Sequence, residues 1–191
     1  MKRIVIFASG SGTNAENLIT FFNKGDKASV VQVLSNNPRA EVLERAKRLR
    51  VSALSFNKIA LAETDDVLNI LRASKPDLIV LAGFLWKIPE KFLNEFPNKV
   101  INIHPALLPK YGGKGMYGKF VHEAVVNNNE TETGITIHYV NESYDEGAII
   151  FQTKCTVEVN DTADDIASKI HELEMEHFPK VVERLLSPSN G

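Results

Sequence analysis

A single cysteine, Cys155, has no partner in this chain, so no internal disulfide framework is available to it. No apolar run approaches the roughly 20 residues that span a bilayer. The first apolar stretch, Ile4 to Ala8, is too short for the hydrophobic region of a secretory leader and runs at once into Ser and Gly. It reads instead as the first strand of the fold, and the chain as cytoplasmic. Neither sign of charge dominates: 22 Lys and Arg against 24 Asp and Glu leave a net charge of −2 at pH 7. A general nucleic-acid binder needs a positive excess, so neither nucleic acid nor membrane is an expected partner. What is present is ordinary for a globular protein, with 43% hydrophobic and 24% charged residues, which excludes intrinsic disorder and fibrous repeats. The 191 residues suit one domain, spanning 1–191.

Short apolar runs alternate with helical stretches. Ile4 to Ala8, Val30 to Leu34, Asp77 to Ala82 and Val100 to Ile103 predict buried strands, because their apolar residues are continuous rather than alternating. Ala15 to Lys24, Glu41 to Arg50 and a stretch capped by Thr64 carry apolar residues at helical spacing. This rhythm predicts an α/β fold with a doubly wound, mostly parallel sheet. After His104 the pattern changes. Pro105, Pro109, Gly112, Gly113, Gly115 and Gly118 mark a long loop, followed by a helix from about Lys119 to Asn127. Gly134 to Val140 and Ala148 to Thr156 predict two strands whose link is too short for a parallel crossover, so they are expected antiparallel. A closing helix covers about Ala163 to Leu186, with Pro179 placed to kink or split it.

Three constellations can carry chemistry. Ser9-Gly10-Ser11-Gly12-Thr13-Asn14 lies between the first strand and the first helix. Small residues there let backbone N–H groups reach an anion at a helix N-terminus, and the Ser11 and Thr13 hydroxyls add donors. The pattern departs from the strict dinucleotide fingerprint, and Ser35-Asn36-Asn37-Pro38 supplies no acidic residue after the second strand, so a phosphomonoester fits better than a dinucleotide. A tight strand-to-helix turn capped by Thr13 uses the same residues. Asn102-Ile103-His104-Pro105 ends a central strand, where open sheets bind ligands. Period-two geometry puts Asn102 and His104 on one side, an amide donor beside an imidazole. That pair suits a developing oxyanion and proton movement near neutral pH. A His that only bonds backbone would look the same. Asp145, in the link between the last two strands, can fold back toward His104 and raise its pKa, or sit solvated in a turn. His122, His138, His171 and His177 show no metal-ligand spacing with Cys155, so no metal is expected. Glu172, Glu174 and Glu176 read, on charge pattern, as a solvated face.

Taken together, Ser9-Gly-Ser-Gly-Thr-Asn14, Leu81-Ala-Gly-Phe84, Asn102-Ile-His-Pro-Ala-Leu-Leu-Pro-Lys-Tyr111 and Asp145-x-Gly147 resemble the phosphoribosylglycinamide formyltransferase family, in order and over nearly the whole chain. The resemblance implies a Rossmann-like formyltransferase fold. It implies transfer of formyl from the co-substrate 10-formyltetrahydrofolate to the amino group of glycinamide ribonucleotide, in de novo purine synthesis, without a metal. By family match, Gly12, Thr13 and Asn14 hold the nucleotide phosphate, and Glu174 is an acid near the nucleotide. His104 matches the catalytic acid, Asn102 its neighbouring amide, and Asp145 the carboxylate that raises the His pKa. Leu85, Trp86, Lys87 and Ile88 match the segment whose backbone receives the folate pterin, and Lys58 matches a basic residue before the third helix. The loop Gly112 to Gly118 is expected to be mobile and to settle on folate binding. Two related classes fit less well. A formyltetrahydrofolate hydrolase would carry an N-terminal regulatory domain, and methionyl-tRNA formyltransferase an added C-terminal domain with a basic surface. A non-catalytic nucleotide-binding module would need none of Asn102, His104 and Asp145.

Overall fold

The computed structural model describes residues 1–187. Its strands are β1 (Lys2–Phe7), β2 (Ala28–Ser35), β3 (Ser52–Ser55), β4 (Leu78–Ala82), β5 (Val100–His104), β6 (Glu132–Tyr139) and β7 (Ile149–Thr156). Its helices are α1 (Thr13–Phe22), α2 (Glu41–Arg48), α3 (Lys58–Ala62), α4 (Asp66–Ser74), α5 (Glu90–Glu95), α6 (Lys119–Asn127) and α7 (Ala163–Leu186). All seven strands join one sheet in the order β3-β2-β1-β4-β5-β6-β7. Pairings from β3 to β5 are parallel, whereas β5–β6 and β6–β7 are antiparallel. The doubly wound, mostly parallel architecture expected from the sequence is the one observed.

The continuous apolar runs are explained by burial on both faces. Successive side chains of a strand point to opposite sides. Ile4 and Ile6 therefore pack in one core, with Leu18, Ile19, Ile170 and Phe178 from α1 and α7. Val5 and Phe7 pack in a second core on the opposite face, with Leu68, Leu71 and Phe92 from α4 and α5. The same split runs through β4, where Val80 joins the first core and Leu81 the second.

Several boundaries differ from the sequence reading. β3 escaped it because an Ser-Ala-Leu-Ser edge strand, mostly exposed, carries almost no apolar signal. The short helices α3 and α5 were also unexpected. Thr64 is not the cap of α4: Asp65 holds that position, and the Thr64 hydroxyl accepts only a long 3.4 Å bond from the Asp66 N–H. Pro179 neither ends nor splits α7, which runs 24 residues through it. The start of α7 is fixed by a reciprocal cap between Thr162 and Asp165, and its own Phe178, Pro179, Val181 and Val182 are buried.

The topology decides where a ligand can sit. β1 leads through α1 to β2 on one side, while β4 pairs with β1 on the other. The loops leaving β1 and β4 therefore diverge at the C-terminal edge of the sheet and open a crevice there.

Candidate active site

A cavity of about 600 Å³ occupies that crevice. Gly10 to Asn14 form one wall, Ala82 to Leu85 and Asn102 to Pro105 the floor, and Gly113 to Gly118 a flap. Tyr144 and Asp145 of the β6–β7 link and Ala167, Ile170, His171 and Glu174 of α7 complete the lining. The two loops at the switch point are tied together, since the Ser9 N–H donates to the Gly83 carbonyl at 3.0 Å and the Leu85 N–H donates to the Ser9 hydroxyl at 2.9 Å.

Gly12 lets the glycine-rich loop after β1 turn into α1. Its φ is +77°, and a Cβ there would stand 2.2 Å from Val42 Cγ2. Gly12, not Thr13, is the N-cap of α1, and no side chain caps this helix end. Its first N–H groups are thus left for an anion, with the helix field in support. Asn14 donates to Glu174 Oε2 at 2.8 Å and so joins the loop to α7. Burial raises the Glu174 carboxyl to about 7, against the opposing pull of the Asn14 hydrogen bond. The solvated face expected from charge pattern holds for Glu172 and Glu176, which are exposed, but not for Glu174.

His104 is buried at the end of β5, with 3% of its surface exposed. Its Nε2 lies 2.7 Å from the Tyr111 carbonyl, which can only accept, so Nε2 carries the proton. Its Nδ1 then faces Asp145 Oδ2 at 3.6 Å, too long for a direct hydrogen bond. Asp145 reaches this point because the β6–β7 link folds back tightly: a Cβ on Gly147 would lie 1.7 Å from the Tyr139 carbonyl oxygen. Asp145 itself adopts φ +57°. The Gly113 N–H donates to Asp145 Oδ2 at 2.9 Å, and the Asn102 amide donates to Oδ1 at 3.4 Å.

Asp145 pushes the His104 pKa up, in the expected direction, but the net shift is downward. Burial is the largest influence and pushes it down, and the upward effects of the Asp145 carboxylate and the Tyr111 carbonyl do not overcome it. For Asp145, burial opposes ionisation, but its polar surroundings, with the Gly113 N–H as a fixed donor, outweigh it and hold the carboxyl below its usual range.

His138 was passed over at the sequence level. It is buried, its register on β6 sets it opposite Asn102 of β5, and the Asn102 amide lies 3.1 Å from its Nε2. Its Nδ1 donates to the Tyr139 carbonyl at 2.9 Å, which leaves Nε2 to accept from Asn102. The signal was the alternation of β6 combined with its pairing to β5, and that pairing is not readable from either strand alone. His122 was passed over too, and it lines the same cavity from α6.

Asn102, His104, Asp145, Gly12, Thr13, Asn14, Glu174 and Leu85 meet around one cavity. The remaining residues expected at the folate do not. Lys58 and Trp86 line a neighbouring cavity with Phe56 and Asn57. Lys87 and Ile88 border a third, with Glu142, and the Ile88 side chain is buried in the second core. Among the described residues, no group of three His, Cys, Asp or Glu side chains is placed to hold a metal ion.

The sequence pattern of the formyl transferase family matches residues 2–182. The chain is similar to phosphoribosylglycinamide formyltransferase of Bacillus subtilis, at 34% identity over all of this chain and 97% of that one. It is 35% identical to the chloroplastic enzyme of that name from Arabidopsis thaliana, over 95% of this chain, and spans 64% of that longer protein. Among solved structures, glycinamide ribonucleotide transformylase 1 from Geobacillus kaustophilus superposes with a TM-score of 0.89 at 34% identity, covering 98% of this chain and all of that one. A fold, a crevice and a sequence that agree over this length place the chain in the formyl transferase family, among the phosphoribosylglycinamide formyltransferases.

Proposed function

We propose that this cavity transfers the formyl group of 10-formyltetrahydrofolate to the amino group of glycinamide ribonucleotide, the one-carbon transfer of de novo purine (IMP) biosynthesis. The observation that carries the reading is the convergence of Asn102, His104 and Asp145 in one cavity that is also lined by an uncapped helix N-terminus. The nucleotide phosphate binds at Gly12, Thr13 and Asn14, with Glu174 beside the sugar phosphate. The formyl folate enters along Leu85 and Tyr144. Trp86, Lys87 and Ile88 serve it through backbone, and Lys58 stands by the outer end of its tail.

The amine attacks the formyl carbon, and the carbonyl π electrons move to the formyl oxygen. The Asn102 amide and the protonated Nδ1 edge of His104 stabilise that charge. One well-placed donor of this kind contributes about 10²–10³ in rate. Burial disfavours the charged form of His104, so the ring takes up a proton from solvent as negative charge gathers beside it and gives it back when the formyl carbonyl re-forms, with Asp145 3.6 Å away in support. The proton lost by the amine passes by way of Asp145, directly or through water, to the leaving folate nitrogen as the carbon–nitrogen bond to folate breaks. Holding both substrates in one cavity supplies the remainder by proximity.

The same reading takes residues 1–191 as one formyltransferase domain acting on small molecules in the cytoplasm, without nucleic acid. One seven-stranded sheet supports the single unit. The placement of residues 2–7 inside that sheet supports reading them as fold rather than as a targeting segment. Formyl loss from 10-formyltetrahydrofolate, measured with both substrates and with each omitted, tests the activity. Loss that requires glycinamide ribonucleotide and formylates it supports the proposal, and loss to water alone overturns it.

A further inference from the structure

Buried polar atoms in folded proteins are nearly always hydrogen-bonded, so an exception asks for an explanation. Among the described residues, five buried side-chain atoms lack a partner, and two of them, Asn14 Oδ1 and His122 Nδ1, belong to residues that line the main cavity. His122 is the costlier of the two. Only 7% of its surface is exposed, and it projects from α6 with Nδ1 sealed from solvent. An apolar side chain would fill this position at no such cost. Burial also drives the ring toward its neutral form. A neutral imidazole carries one proton. Nδ1 has no hydrogen-bond partner, so a proton placed there would be an unpaired buried donor. The proton therefore belongs on Nε2, and Nε2 is the nitrogen that can be offered to the cavity.

Both α6 and α1 pack against α7, the helix that carries Glu174. Asn14, on α1, is already tied to Glu174. His122 of α6 lines the same cavity as these two residues, so the three helices α1, α6 and α7 each bring a polar side chain to it.

We propose that His122 is a substrate-recognition residue that donates from Nε2 to an oxygen of the phosphoribosyl part of the nucleotide. This deepens the proposed function and rests on it. A residue retained for a ligand rather than for the fold has a recognisable signature: an apolar replacement relieves the unpaired polar group and costs the ligand its donor.

The experiment titrates wild type, His122→Phe and His122→Gln with glycinamide ribonucleotide and with ribose 5-phosphate by calorimetry, alongside thermal denaturation and KM for 10-formyltetrahydrofolate. His122→Phe is expected to melt no lower than wild type, to bind both nucleotide probes about tenfold or more weakly, and to leave the folate KM within about twofold. His122→Gln, whose amide reaches about as far as Nε2, recovers much of that affinity. His122→Leu gives the same reading at smaller volume should the phenyl ring disturb the fold. A folded apolar variant that binds the nucleotide as tightly as wild type overturns the inference and leaves the proposed function standing. Weakened binding of glycinamide ribonucleotide with unchanged ribose 5-phosphate overturns the assignment to the phosphoribosyl part. Wild type that binds neither probe overturns both readings.

Discussion

Asp145 Oδ2 accepts the Gly113 N–H at 2.9 Å and faces His104 Nδ1 at 3.6 Å, so one carboxylate oxygen joins the glycine-rich flap to the imidazole at the end of β5. The loop and the strand end are thereby coupled through a single side chain.

That position makes Asp145 and His104 the first residues to replace. His104→Ala and Asp145→Asn are each expected to lower turnover by at least about 10²-fold, while affinity for glycinamide ribonucleotide changes little. Steady-state kinetics with a parallel binding titration checks both halves. The wild-type rate is also expected to fall on the acid side as Asp145 takes up a proton, and a flat acid limb down to the unfolding pH contradicts the role given to it.

Gly113 predicts a second behaviour of the same contact. Amides from Gly113 to Gly118 are expected to exchange quickly with solvent in the free protein and to be protected when a folate analogue binds. In Asp145→Asn the flap loses part of its anchor, and exchange at Gly113 rises even without ligand. Hydrogen exchange read by mass spectrometry decides it, and equal protection in free and bound forms counts against a closing flap.

Glu174 carries a folded-state pKa of about 7, above its unfolded value, because burial disfavours its charge. Its contribution to stability is complete below the unfolded carboxyl pKa and declines as pH rises through about 7. Glu174→Gln removes that decline. Thermal denaturation at pH 5 and pH 8 should show wild type losing roughly 1–3 kcal/mol more than the variant between the two. Parallel pH profiles for the two proteins refute the assignment.

Gly12 and Gly10 stand two residues apart and should respond differently to alanine. At Gly12 the left-handed backbone and the 2.2 Å approach to Val42 Cγ2 leave no room for a Cβ, whereas nothing lies within 4 Å of a Cβ at Gly10. Gly12→Ala is expected to cost about 1–3 kcal/mol of stability and to weaken nucleotide binding by more than tenfold. Gly10→Ala should melt with wild type. Equal melting of the two variants means that the turn does not depend on Gly12.

The order of strands and helices was largely legible, because burial on both faces writes continuous apolar runs into β1, β2, β4 and β5. The antiparallel hairpin of β6 and β7 followed from the length of its link. What failed was local and weak in signal. β3 is a short exposed edge, α3 and α5 are each a turn or two, and Thr64 sits one residue from the true cap. Pro179 looked like a break, yet tertiary packing of Phe178, Val181 and Val182 holds the helix through it.

The sequence by itself determined the class of the fold and the residue types at the ends of β1 and β5, since periodicity and local turn chemistry act over a few residues and leave their mark in the chain. Only the tertiary structure decided that His138 stands against Asn102, that burial rather than Asp145 governs His104, and that Lys58 and Trp86 look into a different cavity. Those facts depend on register between distant strands and on how much water each group loses, and neither quantity exists until the sheet has assembled.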